Sequence, residues 1–315
     1  VIGMGGSFKD DRGIRYSKRE KLPITPFNIL EVRLKDTNVK DDDLKRLAGL
    51  NSLKYLFLEG TLISDTGLQY LRDMQELQLE NLSLDYTKIT DEGLVYIKEM
   101  PSLKRLTLIK TNITNSGLKS LKDMKQLVKL NLAYLQIGDV GLGYLEDLTS
   151  LDELRINDTQ ITDSGLKHLR GMKNLNFLQL GGTGITSSGL EQLDKLENLV
   201  FLDFTKNKIT DSGLTHLNDM KKLKTLGLRL TLVTDLGLQH LYSLKNLESL
   251  NLQETKVTPQ GIADLQKVLP NCKIESDFGN KLTPPAQDNY ALEFDGKTGF
   301  VDLPTLNYNG THPVT

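Results

Sequence analysis

At 315 residues and a net charge of −2, the chain can hold one long repeat domain or two ordinary ones, and its near-neutral balance argues against a dedicated nucleic-acid or membrane-surface binder. Charged residues are a quarter of the chain and well mixed, and no apolar run approaches the ~20 residues needed to cross a bilayer, so no membrane insertion is expected. The single cysteine, Cys272, excludes an internal disulfide and any cysteine-built zinc cluster.

Residues 1–28 contain VIGMGGSFKDDRGIRYSKREKLP, a polar stretch outside any repeating frame, which predicts an N-terminal linker or cap. The glycines of GMGG do not make a phosphate loop, because no Gly-Lys-Ser/Thr follows at the required spacing. A chain that starts at Val1 and shows no signal peptide is expected to be a piece of a longer protein.

From Ile29 the sequence repeats. Copies of the frame LxxLxLxxTxITDxGLxxLxxM begin at Ile29, Leu53, Leu79, Leu103, Leu127, Leu151, Leu175, Leu199, Leu223 and Leu247. They are 24 residues apart, except for 26 between Leu53 and Leu79. In LxxLxL the apolar residues alternate, as in Leu175, Leu178 and Leu180, which predicts a short strand with one buried face. In TDxGLxxLxxM the spacing turns helical, with Leu166, Leu169 and Met172 on one side. Thr162 or Thr210 suits the N-cap of that helix, and the aspartate after it suits the positive end of the helix dipole.

The glycine of each copy, such as Gly117, Gly165 and Gly261, is expected either to let neighbouring coils approach closely or to supply an unusual backbone angle. The threonine of LxxT (Thr61, Thr87, Thr111, Thr159 and equivalents) is expected to hydrogen-bond the adjacent coil. Asn207 takes its place in one copy. Leu135 takes it in another and cannot make that bond, so the fifth copy is expected to be locally weaker or distorted. One copy cannot bury its own apolar face, whereas ten stacked copies bury a continuous core.

This frame resembles the leucine-rich repeat superfamily over residues 29–274. The ITDxGLxxL phrase is similar to the cysteine-containing, F-box-associated subtype and to repeats of bacterial, planctomycete-like proteins. The resemblance implies an α/β fold: a solenoid of about ten repeats, with a concave parallel β-sheet, short helices on the convex side, and protein binding on the concave surface. The terminal copies are atypical, with Asp43 in place of the glycine and Pro259 in place of the aspartate, as expected where the core meets water. LPNCKI, residues 269–274, predicts a closing strand with Cys272 buried. Residues 275–290 read as a proline-bearing linker. Residues 291–315, with ALEFDG and VDLP, resemble the truncated start of a laminin-G or concanavalin-A-like jelly roll. That resemblance implies a glycan-binding domain and an extracytoplasmic or cell-surface location for the parent protein.

Residues between the strand leucines are expected on the concave face. Equal positions in successive copies then lie ~4.8 Å apart. This predicts a Phe177–Phe201 aromatic pair flanked by Arg155, Gln179 and Asp203. Tyr55, Phe57 and Tyr86 are expected to form a second patch towards the N-terminus. Arg105 and Lys129 make a short basic strip, which Glu153 beside it is expected to leave solvated. Aromatic and arginine residues are over-represented among binding hot spots. His168, His216 and His240 share one helix position, and two histidines without a third ligand make a poor metal site.

The reading is a monomeric, non-catalytic scaffold that binds a protein partner, with no cofactor and no metal. The alternatives are a glycan-binding or adhesion protein acting through the jelly roll, and a regulatory or substrate-recognition segment of a larger enzyme such as a kinase or ubiquitin-ligase-like adaptor.

Overall fold

The computed structural model describes residues 1–17, 26–74 and 76–278. The jelly-roll stretch and all but the start of the preceding linker lie outside the described residues. Each copy contributes a strand, five residues long in the first and three in the others, and then a short helical segment. The strands stack into one sheet, thirteen of them among the described residues, in chain order except that the second lies at the edge, outside the first. The sheet starts with β1 (Ser7–Asp10) and β2 (Arg15–Tyr16). It continues through β3 (Ile29–Arg33), β4 (Tyr55–Phe57), β5 (Asn81–Ser83), β6 (Arg105–Thr107), β7 (Lys129–Asn131) and β8 (Glu153–Arg155). It ends with β9 (Phe177–Gln179), β10 (Phe201–Asp203), β11 (Thr225–Gly227), β12 (Ser249–Asn251) and β13 (Lys273–Glu275). From β3 to β13 every pairing is parallel and in register, so Leu154, Leu178, Leu202 and Leu226 form one buried row.

The helical segments are short because the coil has to return to the sheet. Half of them begin with one α-turn, as in Asp163–Leu166, and tighten into a 3-10 turn, as in Lys167–Leu169. The longer exceptions include Asp65–Asp73 and the last helix, Pro259–Val268. Leu166, Leu169 and Met172 face inward and meet Leu175, Leu178 and Leu180 from the strand side, all fully buried. Burying one such side chain stabilises by roughly 1.5–3 kcal/mol, and the same set recurs in every coil.

The repeated aspartate does more than face a helix dipole. Asp163 Oδ1 accepts from the Thr186 N–H of the next coil at 2.7 Å, and its Oδ2 accepts from the Thr186 hydroxyl at 2.6 Å. Asp65–Thr90, Asp91–Thr114, Asp139–Thr162, Asp211–Thr234 and Asp235–Thr258 repeat this clasp. Two rungs differ. Asn115 accepts from the N–H of Gly138, and Ser187 meets Thr210 with a hydroxyl.

The repeated glycine sits directly against this clasp. At Gly117, Gly165, Gly189 and Gly237 an added Cβ would lie within 3.0 Å of the preceding coil's aspartate oxygen. None of these glycines has a positive φ, so close approach is the reason for them.

With the exception of Thr183, the threonine hydroxyl after the strand bonds within its own coil, not to the adjacent one as expected from the sequence. Thr61, Thr111 and Thr159 donate to the carbonyls of Leu58, Leu108 and Ile156, three residues back. The residue between them is left-handed in each coil, for example Tyr86 at φ 58°, Lys110 at 52° and Tyr134 at 61°. A threonine therefore closes a tight turn whose own N–H reaches the next coil, as Tyr86 N–H does to Ile109 O at 2.8 Å. The exception is the Thr183–Asn207 pair, which spans coils: Asn207 donates to Leu180 O at 2.8 Å, and the Thr183 hydroxyl, which also bonds Leu180 O, lies 3.0 Å from Asn207 Oδ1. The distortion expected at Leu135 is absent. Leu135 is buried, Tyr134 keeps the left-handed turn, and β7 stays in register with β6 and β8, because an apolar side chain fills the same inward position.

The N-terminal residues form a hairpin that adds antiparallel to β3. Phe8 stacks on Tyr16 at 5.1 Å and on Phe27 at 5.6 Å, which covers the apolar end of the first coil. At the other end Cys272 is 3% exposed, and burial pushes its thiol up to about 12. That keeps it protonated and unreactive.

Candidate functional site

The parallel register turns side chains at equal positions into rows across the sheet. Phe177 pairs with Phe201, and their rings stack face to face at 4.0 Å with a 5° angle between planes. This is closer than the strand spacing, so the rings lean together. The Arg155 guanidinium lies 4.5 Å from the centre of the Phe177 ring, a cation–π contact. Arg155 is itself held by Glu153, whose second oxygen accepts from Lys129 at 2.7 Å. Burial works to raise the Glu153 carboxyl, but Lys129 and Arg155 outweigh it and hold its pKa below the ordinary glutamate value. Lys129, Glu153, Arg155, Phe177 and Phe201 thus form one connected line over four adjacent strands. The basic strip foreseen at Arg105 and Lys129 is neutralised at its second member.

Gln179 and Asp203 lie in the neighbouring row. Asp203 Oδ1 accepts from the Thr205 N–H at 2.9 Å and from its hydroxyl at 2.6 Å. Burial raises the Asp203 carboxyl; hydrogen bonds from Thr205 and Gln179 oppose that shift without cancelling it, and Asp158 adds to it. Beyond Phe201 the side chains shrink to Thr225, Gly227 and Ser249. The Asp203 carboxylate leans into this space, close enough that a Cβ on Gly227 would strike it.

Tyr55 and Phe57 share β4, where the Arg33 guanidinium lies 4.3 Å over the Phe57 ring. Tyr86 lies past β5 in its left-handed turn. It shares Lys110 with Tyr134, the ammonium standing 5.4 and 4.9 Å from the two ring centres. These aromatics therefore occupy two settings, the strand face and the rim of turns. Signals for the rim were present in the sequence, since Tyr86, Lys110 and Tyr134 hold the same position in successive copies.

A second acidic site was not foreseen. Asp85 accepts from Ile109 N–H at 2.8 Å, and Glu59 occupies the same position in the preceding coil with Oε2 buried and unbonded among the described residues. Burial drives the Asp85 carboxyl up to about 6, with Glu59 adding to the shift and Ile109, Thr107 and Lys35 opposing it. The folded state thus holds this proton more tightly than the unfolded chain, whose aspartates titrate near 3.9. The resulting stabilisation is full below about pH 3.9 and is lost as pH rises through about 6. Asp85→Asn keeps the acceptor for Ile109 and removes the charge. It is expected to stabilise by about 1–3 kcal/mol at pH 7.5 and to change little at pH 4. Urea titrations at the two pH values check this, and an equal gain at both would refute the assignment.

His168 pairs with Glu146 at 2.7 Å and His216 with Asp194 at 3.1 Å, each carboxylate lying in the preceding coil. Among the described residues no three His, Cys, Asp or Glu side chains gather as metal ligands, and no helix is long and apolar enough to cross a membrane.

A leucine-rich-repeat family model matches residues 147–169 and 195–217. No curated protein matches the chain. Among solved structures, an internalin (inlF) from Listeria monocytogenes is similar at 19% identity, over 83% of this chain and 92% of that one, with a TM-score of 0.55. Internalin C2 from the same organism is 27% identical over 67% of this chain and 83% of its own, with a TM-score of 0.53. The leucine-rich-repeat ectodomain of the Arabidopsis receptor kinase HAESA, solved with a peptide hormone ligand, is 21% identical over 79% of this chain and 42% of its own, with a TM-score of 0.61.

Proposed function

We propose that this leucine-rich-repeat solenoid is a non-catalytic protein-interaction module, with Phe177 and Phe201 as the anchor of its concave face. The observation that carries the reading is the stacked pair itself. Two phenylalanines are held half-buried on the sheet's concave face, stacked on each other, with the far side of Phe177 braced by Arg155 and the far side of Phe201 covered by none of the described rings or cations. Apolar area presented on a rigid sheet loses little conformational entropy when a partner covers it. Every strand residue around it is tied into the ladder, so recognition does not require the site to reorganise. The peptide hormone on the Arabidopsis ectodomain is compatible with a polypeptide ligand here, but the choice of partner rests on this chain's own residues.

A pull-down from lysate of the source organism, comparing the chain with Phe177→Asp/Phe201→Asp, tests the reading. Loss of a hot-spot anchor costs about 2 kcal/mol or more, about thirtyfold in affinity, so a partner held by this face should vanish with the variant. Circular dichroism first establishes that the variant is folded. Capture of the same proteins by both forms removes the aromatic pair from the site.

A further inference from the structure

Phe177 and Phe201 are a half-capped stack. The outer face of Phe177 carries the Arg155 guanidinium. The outer face of Phe201 points along the same axis, over Thr225 of the next strand, and no ring or cation covers it among the described residues. The outward residues of the strands on that side are short, Thr225 and Gly227 on β11 and Ser249 and Asn251 on β12, with Asn251 already tied to Gln253 and Glu275. The next long side chain in the Phe201 row is Lys273. Three strand spacings, roughly 14 Å, separate these walls.

Asp203 supplies the second, independent observation. The other carboxylates on strands β3–β13 sit beside cations, Glu31 against Arg15 and Arg33, Glu153 against Lys129 and Arg155, and Glu275 against Lys273. Asp203 forms no ion pair with a described residue; its donors are neutral, Thr205 and Gln179. A carboxylate offers about four acceptor sites, so these donors do not exhaust it. It also leans over Gly227, alongside the open face of Phe201. A planar cation in the notch would stack on Phe201 as Arg155 does on Phe177, and place its N–H groups towards Asp203. A guanidinium meets both demands, because it is planar, stacks on aromatic faces and pairs with carboxylates through a fork of donors.

We propose that the Thr225–Gly227–Ser249 notch binds an arginine side chain of a partner polypeptide, with the guanidinium stacked on Phe201 and paired with Asp203. The inference rests on the concave face being the binding surface and adds the residue that it selects.

The test uses acetyl-Gly-Arg-Gly-amide, its citrulline counterpart and random heptapeptides displayed on phage. In amide-resolved NMR titrations of the whole chain, the arginine peptide should shift Thr225 and Gly227 with millimolar affinity, and the citrulline peptide should bind about tenfold more weakly or not at all. Asp203→Asn and Phe201→Leu should each weaken the arginine peptide about tenfold, while Lys245→Ala, on the helical side, leaves it unchanged. Equal shifts with citrulline, or no shift at Thr225 and Gly227, overturn the pocket. Phage selection separates the two readings. Enrichment of arginine that disappears with Asp203→Asn supports the pocket. Enriched peptides without arginine that are lost with Phe201→Leu leave the concave site standing and remove the arginine pocket. Enrichment of no peptide overturns both.

Discussion

Gly117→Ala is expected to destabilise the array by about 2–4 kcal/mol. The new Cβ would fall within 3.0 Å of Asp91 Oδ1 and close to the Asp91 backbone. The aspartate cannot simply swing away, because its two oxygens hold the Thr114 N–H at 2.7 Å and the Thr114 hydroxyl at 2.6 Å. Either the coils separate, which opens the packing of Leu94 and Leu118, or the clasp breaks and strands two donors. Urea unfolding followed by circular dichroism measures the loss. Gly171→Ala is the control, since its Cβ would meet nothing nearer than 3.7 Å. A double-mutant cycle with Asp91→Ala should show a coupling of about 1 kcal/mol or more, the double variant costing less than the sum of the singles. Strict additivity would mean that the glycine is there for some other reason than the clasp.

Phe204→Ala should cost about 3–5 kcal/mol, and Phe204→Leu no more than about 1.5 kcal/mol. Phe204 is fully buried at a position that leucine fills in the flanking coils, as Leu180 and Leu228 do. The benzyl group occupies space that the neighbouring leucines do not fill, so alanine leaves a cavity bounded by coils on both sides, whereas leucine restores the repeat's usual volume. In a linear array each coil supports only its neighbours, so the alanine variant should also broaden the unfolding transition. A fall in the midpoint with an unchanged slope, at less than about 1.5 kcal/mol, would indicate that the coils relax to fill the void.

The strand rows were legible in the sequence, because an alternation of leucine with polar residues at a fixed interval dictates both which side faces in and which residues become neighbours. That is why the repeat interval alone sets Phe177 beside Phe201. The Asp163–Thr186 clasp was not legible. Thr-Asp before a glycine and a leucine is also what a helix start requires, and a single coil's sequence cannot tell a contact with its own helix from one with the next coil. The bond of Thr61 is illegible for a related reason: a hydroxyl at a strand exit has two carbonyls within reach, and the left-handed turn at Gly60 decides in favour of the nearer. The N-terminal hairpin was hidden by its length, since SFKD and RY are too short for alternation to stand out. In Asp85 and Asp203 the missing information was depth, because a carboxylate's environment depends on how far its row is buried and on which cations its neighbours carry.

The joint between the seventh and eighth coils is unlike the rest. Behind the aromatic pair, Ser187 replaces the clasping carboxylate, so the convex link is hydroxyl to hydroxyl at 2.8 Å. Nearer the sheet, Asn207 ties the same two coils by donating to Leu180 O and accepting from Thr183. A neutral link yields before a charge-assisted one. Under load the back of the solenoid would therefore open at its two neutral rungs, Asn115–Gly138 and this one, and here the opening pivots about Asn207, so that one of the two compliant joints lies beneath the two phenylalanine rings while they stay in contact.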